Sequence, residues 1–206
     1  MSELAGFFWI GFQHILDTQN FLSIFNGIDH ILFILVLSAV YPVKDWRKIL
    51  VLVTAFTIGH SLTLALAAFD VVPFNPRLIE ILIPVTIFLT ALYNFYEKPS
   101  EENQSIWNPA LSLRYGFALF FGLIHGFAFS NVLRSMFALS GESIVAKLFA
   151  FNVGIEAGQI VVVVFVLILS ALFEWSLKLR PLIWNQALSG VSGLAAIGIF
   201  IAKIVN

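Results

Sequence analysis

Long apolar runs, each closed by a short polar connector, set the pattern of this chain. A helix that crosses a bilayer needs roughly 20 mostly apolar residues. Six stretches meet that requirement, at about 21–41, 47–69, 78–96, 112–138, 146–173 and 182–204. The connectors carry proline and charge, as in Pro42 with Lys44, Asp45, Arg47 and Lys48, or Asp70 to Arg77 with Pro73 and Pro76. The segment from Glu97 to Pro109, with Pro99, Glu101, Glu102, Asn103 and Gln104, is the one that reads as a flexible loop. Ser140 to Ser143 and Glu174 to Pro181 complete the set. Leu4 to Leu16 is apolar but too short to span, and it ends in Asp17-Thr18-Gln19-Asn20. It lacks the basic start and small-residue cleavage site of a removable signal. It therefore reads as a short membrane-embedded or interfacial helix, with Asp17 to Asn20 near a membrane surface or inside the fold. The expected architecture is all-α: one polytopic transmembrane domain over 1–206, with six spanning helices and a short N-terminal helix.

Composition agrees and removes alternatives. The chain is 60% hydrophobic and 11% charged, with mean hydropathy +0.96. A soluble domain carries about 25% charged residues, so this chain cannot clothe a globule for water. A net charge of -1, with 11 Lys and Arg scattered along the sequence, gives no basic footprint for nucleic acid. The absence of cysteine removes disulfides and thiolate sites. Any metal must then be held by imidazole or oxygen. Positive charge sets orientation. Lys44, Arg47, Lys48, Lys98, Arg114, Lys178 and Arg180 fall on one side, and Arg77, Arg134, Lys147 and Lys203 on the other. This bias favours both termini outside the cytoplasm, and counting the first segment as a seventh crossing would move the N-terminus inside. The expected location is the bacterial inner membrane, with the lipid bilayer as a partner.

Ionisable residues inside apolar spans cost roughly 2.5–3.5 kcal/mol each at a helix centre and mark function by default. All four histidines of the chain lie within apolar stretches. His14 is on the short first segment, and His30 follows Asp29 in the first span. His60 is near the middle of the second span, and His125 is in the middle of the fourth. Asn26, Asp29 and His30 stand at i, i+3 and i+4 and share a helix face. Asn152, Glu156 and Gln159 form a stripe on the fifth span. Each has a bland reading. A membrane histidine often bonds a neighbouring helix, amide stripes glue helices together, and Glu80 could pair with Arg77. Four histidines and two carboxylates spread over five segments are more economically satisfied together at one buried site. Their chemistry suits a divalent transition metal. The expected ligands are His14, Asp29, His30, His60, His125 and Glu156, with Asn26, Ser61, Glu80, Asn152 and Gln159 supporting them through hydrogen bonds.

The sequence resembles the HupE/UreJ family of small integral-membrane proteins. The likeness rests on Gly27-x-Asp29-His30-x-Leu32-Phe33, Phe56-Thr57-x-x-His60-Ser61-x-Thr63-Leu64, Phe121-Gly122-Leu123-Ile124-His125-Gly126-Phe127 and Phe151-Asn152-x-Gly154-x-Glu156-x-x-Gln159. Gly11-x-x-His14-Ile15 and Glu80 fit the same pattern. The resemblance implies a metal permease or accessory protein tied to nickel or cobalt supply, and the same donors accept zinc. In one respect the chain departs from the family pattern. His14 lies 15 residues before Asp29, so it must reach the site from a separate segment that folds back. Three readings follow: a nickel/cobalt-type permease, an intramembrane zinc hydrolase with Ser61 beside His60, or a non-transporting sensor. The permease is favoured. Glycine-rich faces permit a homo-oligomer without requiring one.

Overall fold

The computed structural model describes residues 2–16, 24–97, 109–137, 143–177 and 180–205. Apolar runs become helices because in hydrocarbon every backbone polar group must be satisfied within its own segment. The order is α1 (Glu3–Leu16), α2 (Ile24–Ser38), a 3-10 turn (Val43–Asp45), α3 (Trp46–Ala68), α4 (Pro76–Tyr96), α5 (Pro109–Phe137), α6 (Ile144–Leu177) and α7 (Pro181–Val205). No strand occurs among the described residues. Five segments, one in each of α3 to α7, are long and apolar enough to cross a membrane. Their boundaries follow local chemistry. Pro76 and Pro181 open α4 and α7, where a missing N–H costs nothing. The Asn75 side chain accepts from the N–H groups of Arg77 and Leu78 at 3.0 and 3.3 Å. After α3 the chain turns at Asp70 (φ 60°), and the N–H groups of Asp70 and Val71 return to the carbonyls of Ala67 and Leu66, closing the helix end.

The stretch expected to span from 21 to 41 is shorter as a helix. α2 has 15 residues, about 22 Å at 1.5 Å per residue, below the roughly 30 Å of a hydrocarbon core. Its C-terminal limit has a cause: Pro42 disfavours helical backbone at Tyr41. Residues 17–23, including the expected polar turn Asp17 to Asn20, lie outside the described residues, as do 98–108 with Lys98, 138–142, and 178–179 with Lys178.

Helices associate in pairs, α3 with α5, α1 with α6 and α4 with α7, and α2 packs among them. Two seams need glycine. A Cβ on Gly59 would fall on the Leu119 carbonyl oxygen, and one on Gly122 on that of Phe56. On the other seam Gly11 meets the Phe151 carbonyl and Gly154 that of Phe8. Such backbone approach is what holds helices together where lipid supplies no hydrophobic drive. The register makes α3 and α5 parallel, and α1 and α6 parallel, while Lys203 beside Glu80 and Asn185 beside Asn94 make α4 and α7 antiparallel. One end of the bundle therefore carries Glu3 with Lys147 and Glu80 with Lys203. The other carries Tyr41, Glu97 and Arg114. Asn94 ties the elements together there, donating from Nδ2 to the Val36 carbonyl while its own carbonyl accepts from Asn185 at 2.8 Å.

Candidate metal centre

Three helices each deliver one imidazole to the centre of the bundle. His14 comes from the last turn of α1, His30 from α2 and His60 from the middle of α3. The glycine seams set two of these positions: Gly11 seats α1 on α6 three residues before His14, and Gly59 seats α3 on α5 next to His60. The His14 and His30 ring centroids are 4.8 Å apart, His30 and His60 5.7 Å, and His14 and His60 6.2 Å. One ligand-capable atom from each lies within 4.8 Å of the others. His30 is 5% exposed and His60 wholly buried. Among the described residues, His14 Nε2 and both ring nitrogens of His30 and His60 have no hydrogen-bond partner. Buried polar atoms are normally paired, and each exception calls for a cause. Converging bare imidazole nitrogens, without sulfur or competing donors, form a donor set suited to nickel, cobalt or zinc.

His125, on α5, stands beside this group, 5.5 Å from His30 by ring centroid. It is not one of the three whose ligand atoms converge. Asp29 is buried, with Oδ1 unpartnered. A cavity of about 470 Å³ joins Asp29, His14, His30 and His125 to Gln13, Glu80, Met136 and Lys203. Since Glu80 is exposed, the cavity reaches the bundle end that carries the Glu80–Lys203 pair. On the opposite side the rings of Phe33, Phe56 and Phe121 are packed together and against His125 and His30. Beyond them a second cavity of about 210 Å³ is lined by Tyr41, Tyr93, Arg114 and Phe121 among others.

The remaining expected site residues are placed elsewhere. Glu156 is not brought to the imidazole group; Thr54 donates to its Oε1 at 2.9 Å. Gln159 meets Thr57 at 2.6 Å, and Asn152 Nδ2 donates to the carbonyl of Leu148 at 2.9 Å. Glu156 and Gln159 thus join α6 to α3, while Asn152 bonds within its own helix. The Ser61 hydroxyl donates to the Thr57 carbonyl at 2.7 Å. Glu80 pairs with Lys203 at 3.7 Å rather than with Arg77. The Asn26 side chain lies outside the described residues.

Sequence reasoning passed over three features. Lys147 is wholly buried beside Glu3 and the Phe7 ring, although it reads as a connector charge. Arg114 pairs with Glu97 at 2.7 Å and lies over the Tyr41 and Tyr93 rings. Thr86 on α4 faces His125, with its hydroxyl 3.4 Å from Nε2. A buried threonine in an apolar span gives no signal of its own, since its hydroxyl can bond a carbonyl in the preceding turn.

A family model described as HupE / UreJ protein matches residues 1–203. No curated protein and no solved structure matches the chain.

Proposed function

Taking as premise that this chain belongs to the HupE/UreJ family, we propose that it is an integral-membrane permease for a divalent transition-metal ion of the nickel or cobalt type. The ion is the substrate, held by His14, His30 and His60, with Asp29 and His125 on its path. The observation that carries this reading is the convergence of three imidazoles from three separate helices, His30 and His60 buried and His14 half-buried, with ring nitrogens that have no hydrogen-bond partner among the described residues. Neutral imidazole is a good ligand for these ions. The Asp29 carboxylate offsets positive charge in a low dielectric. A permeation site must also let go, and three imidazoles in reach of an open cavity bind without enclosing.

The same reading accounts for the two short helices. α1 starts at the Glu80–Lys203 end beside the start of α6, and α2 finishes at the Arg114 end. Each is about 21–22 Å long by rise per residue, too short to span alone, so we assign the two together to one crossing, which with α3 to α7 makes six. Transporters build ion sites near the bilayer midplane, and His14 and His30 stand on these two short helices. Lys44, Arg47, Lys48 and Arg180 belong to the Arg114 end, which places that end in the cytoplasm of a bacterial inner membrane by the positive-inside rule. The cavity to the histidines then opens outward, as uptake requires.

Metal analysis of purified protein, together with uptake into proteoliposomes, tests this. Wild type is expected to retain nickel, cobalt or zinc and to transport one of them, while His30→Ala and His60→Ala lose both properties. Absence of bound metal and of uptake in the wild type overturns the reading.

A further inference from the structure

We infer that Thr86 is a positioning residue that holds His125 in one tautomer and thereby presents its Nδ1 lone pair to the metal ion. This rests on the metal reading above but involves a residue outside the histidine and carboxylate set. Thr86 is 4% exposed, on α4, in an otherwise apolar stretch. Its hydroxyl lies 2.7 Å from the Ile83 carbonyl and 3.4 Å from His125 Nε2. A hydroxyl has one proton to give and lone pairs to accept with. The shorter contact takes the proton, and Thr86 Oγ1 then accepts from Nε2–H.

The other arrangement fails on the far side of the ring. Were Nε2 to accept from Thr86, the ring proton would sit on Nδ1, which is buried and has no partner among the described residues. A buried N–H without an acceptor is rarer and costlier than a bare acceptor atom. With the proton on Nε2, what remains at Nδ1 is a lone pair, the form a metal ion needs. His125 also lines the 470 Å³ cavity and lies next to His30, so its imidazole stands beside the route to the three-imidazole group. The partner of the other ring nitrogen sets which nitrogen is free to bind metal, and loss of such a partner typically costs ~10–100-fold in metal affinity.

The test uses full-length protein in detergent, labelled with ¹⁵N at histidine and free of metal. The wild type and Thr86→Ser are expected to show His125 protonated at Nε2, and Thr86→Val, which keeps the shape without the hydroxyl, to show a mixture. Nickel titration of the same samples is expected to show affinity lowered ~10–100-fold in Thr86→Val and kept in Thr86→Ser. Size-exclusion profile and helical circular dichroism report whether each variant is folded, and Thr86→Ala serves if the valine variant is not. A His125 protonated at Nδ1 in the wild type, or a tautomer unmoved by loss of the hydroxyl, overturns the inference. Because the nitrogen shifts are read without metal, they decide the role of Thr86 even if the wild type binds none.

Discussion

Asp29 and Glu156 are both carboxylates set in apolar helices, yet their surroundings assign them different work. Asp29 lines the histidine cavity with a bare buried oxygen. Glu156 receives the Thr54 hydroxyl on the contact between α3 and α6. Asp29→Asn is therefore expected to weaken nickel binding by on the order of 10–100-fold, as losing a partner of the site does. Glu156→Gln keeps an oxygen for Thr54 to donate to and is expected to leave binding unchanged. Calorimetric titration of both variants checks the pair, and equal losses would put Glu156 at the ion. The sequence made the histidines legible because an ionisable group in hydrocarbon is costly enough to need a reason. It left Thr86 illegible because a hydroxyl that bonds its own helix needs none. For His14, a distance of 15 residues from Asp29 announced a separate segment folding back. The structure places His14 on a helix of its own, α1, and its imidazole is among the three that converge.

At the scale of elements, the apolar runs located the helices to within a few residues, since run length and proline boundaries act locally. The expected 47–69 is α3 at Trp46–Ala68, and the expected 182–204 is α7 at Pro181–Val205. Partner choice was not legible, because glycines look alike in a sequence. Gly59 and Gly122 press against carbonyl oxygens of the facing helix, whereas Gly190 and Gly198 have open space where a Cβ would go. Gly59→Ala or Gly122→Ala must push α3 and α5 apart. An overpacking cost of about 1–3 kcal/mol is expected, and metal binding should fall with it, because His60 and His125 ride on these two helices. Gly190→Ala is expected to be neutral or to stabilise by up to about 1 kcal/mol through helix propensity. Thermal unfolding in one detergent compares the three, and a seam variant as stable as Gly190→Ala would show that the close approach is not needed.

On the scale of the whole molecule, the imidazoles stand between two cavities that differ in character. The larger is lined by Asp29, Glu80 and Lys203 and reaches His14, His30 and His125 directly. The smaller has Arg114 and is separated from them by Phe33, Phe56 and Phe121. A cation arriving at the Glu80–Lys203 end meets an open route that leads to Asp29, while one arriving at the Arg114–Glu97 end meets a closed aromatic layer. On the proposed permease reading, the structure corresponds to one side of an alternating-access cycle, open to the Glu80–Lys203 end. The chain has no cysteine, so single-cysteine variants report access without background. Met136→Cys, in the larger cavity, is expected to react with a membrane-impermeant thiol reagent from the outer face, and nickel should slow that reaction. Tyr93→Cys, in the smaller cavity, should react from the inner face with nickel having no direct effect on it, since the aromatic layer keeps the ion away. Phe121→Leu thins that layer where it borders the smaller cavity, and nickel is then expected to leak through proteoliposomes down its gradient. Equal access to Met136→Cys from both faces, or a Phe121→Leu protein as tight as wild type, would show that the aromatic layer is packing and not a barrier to the ion.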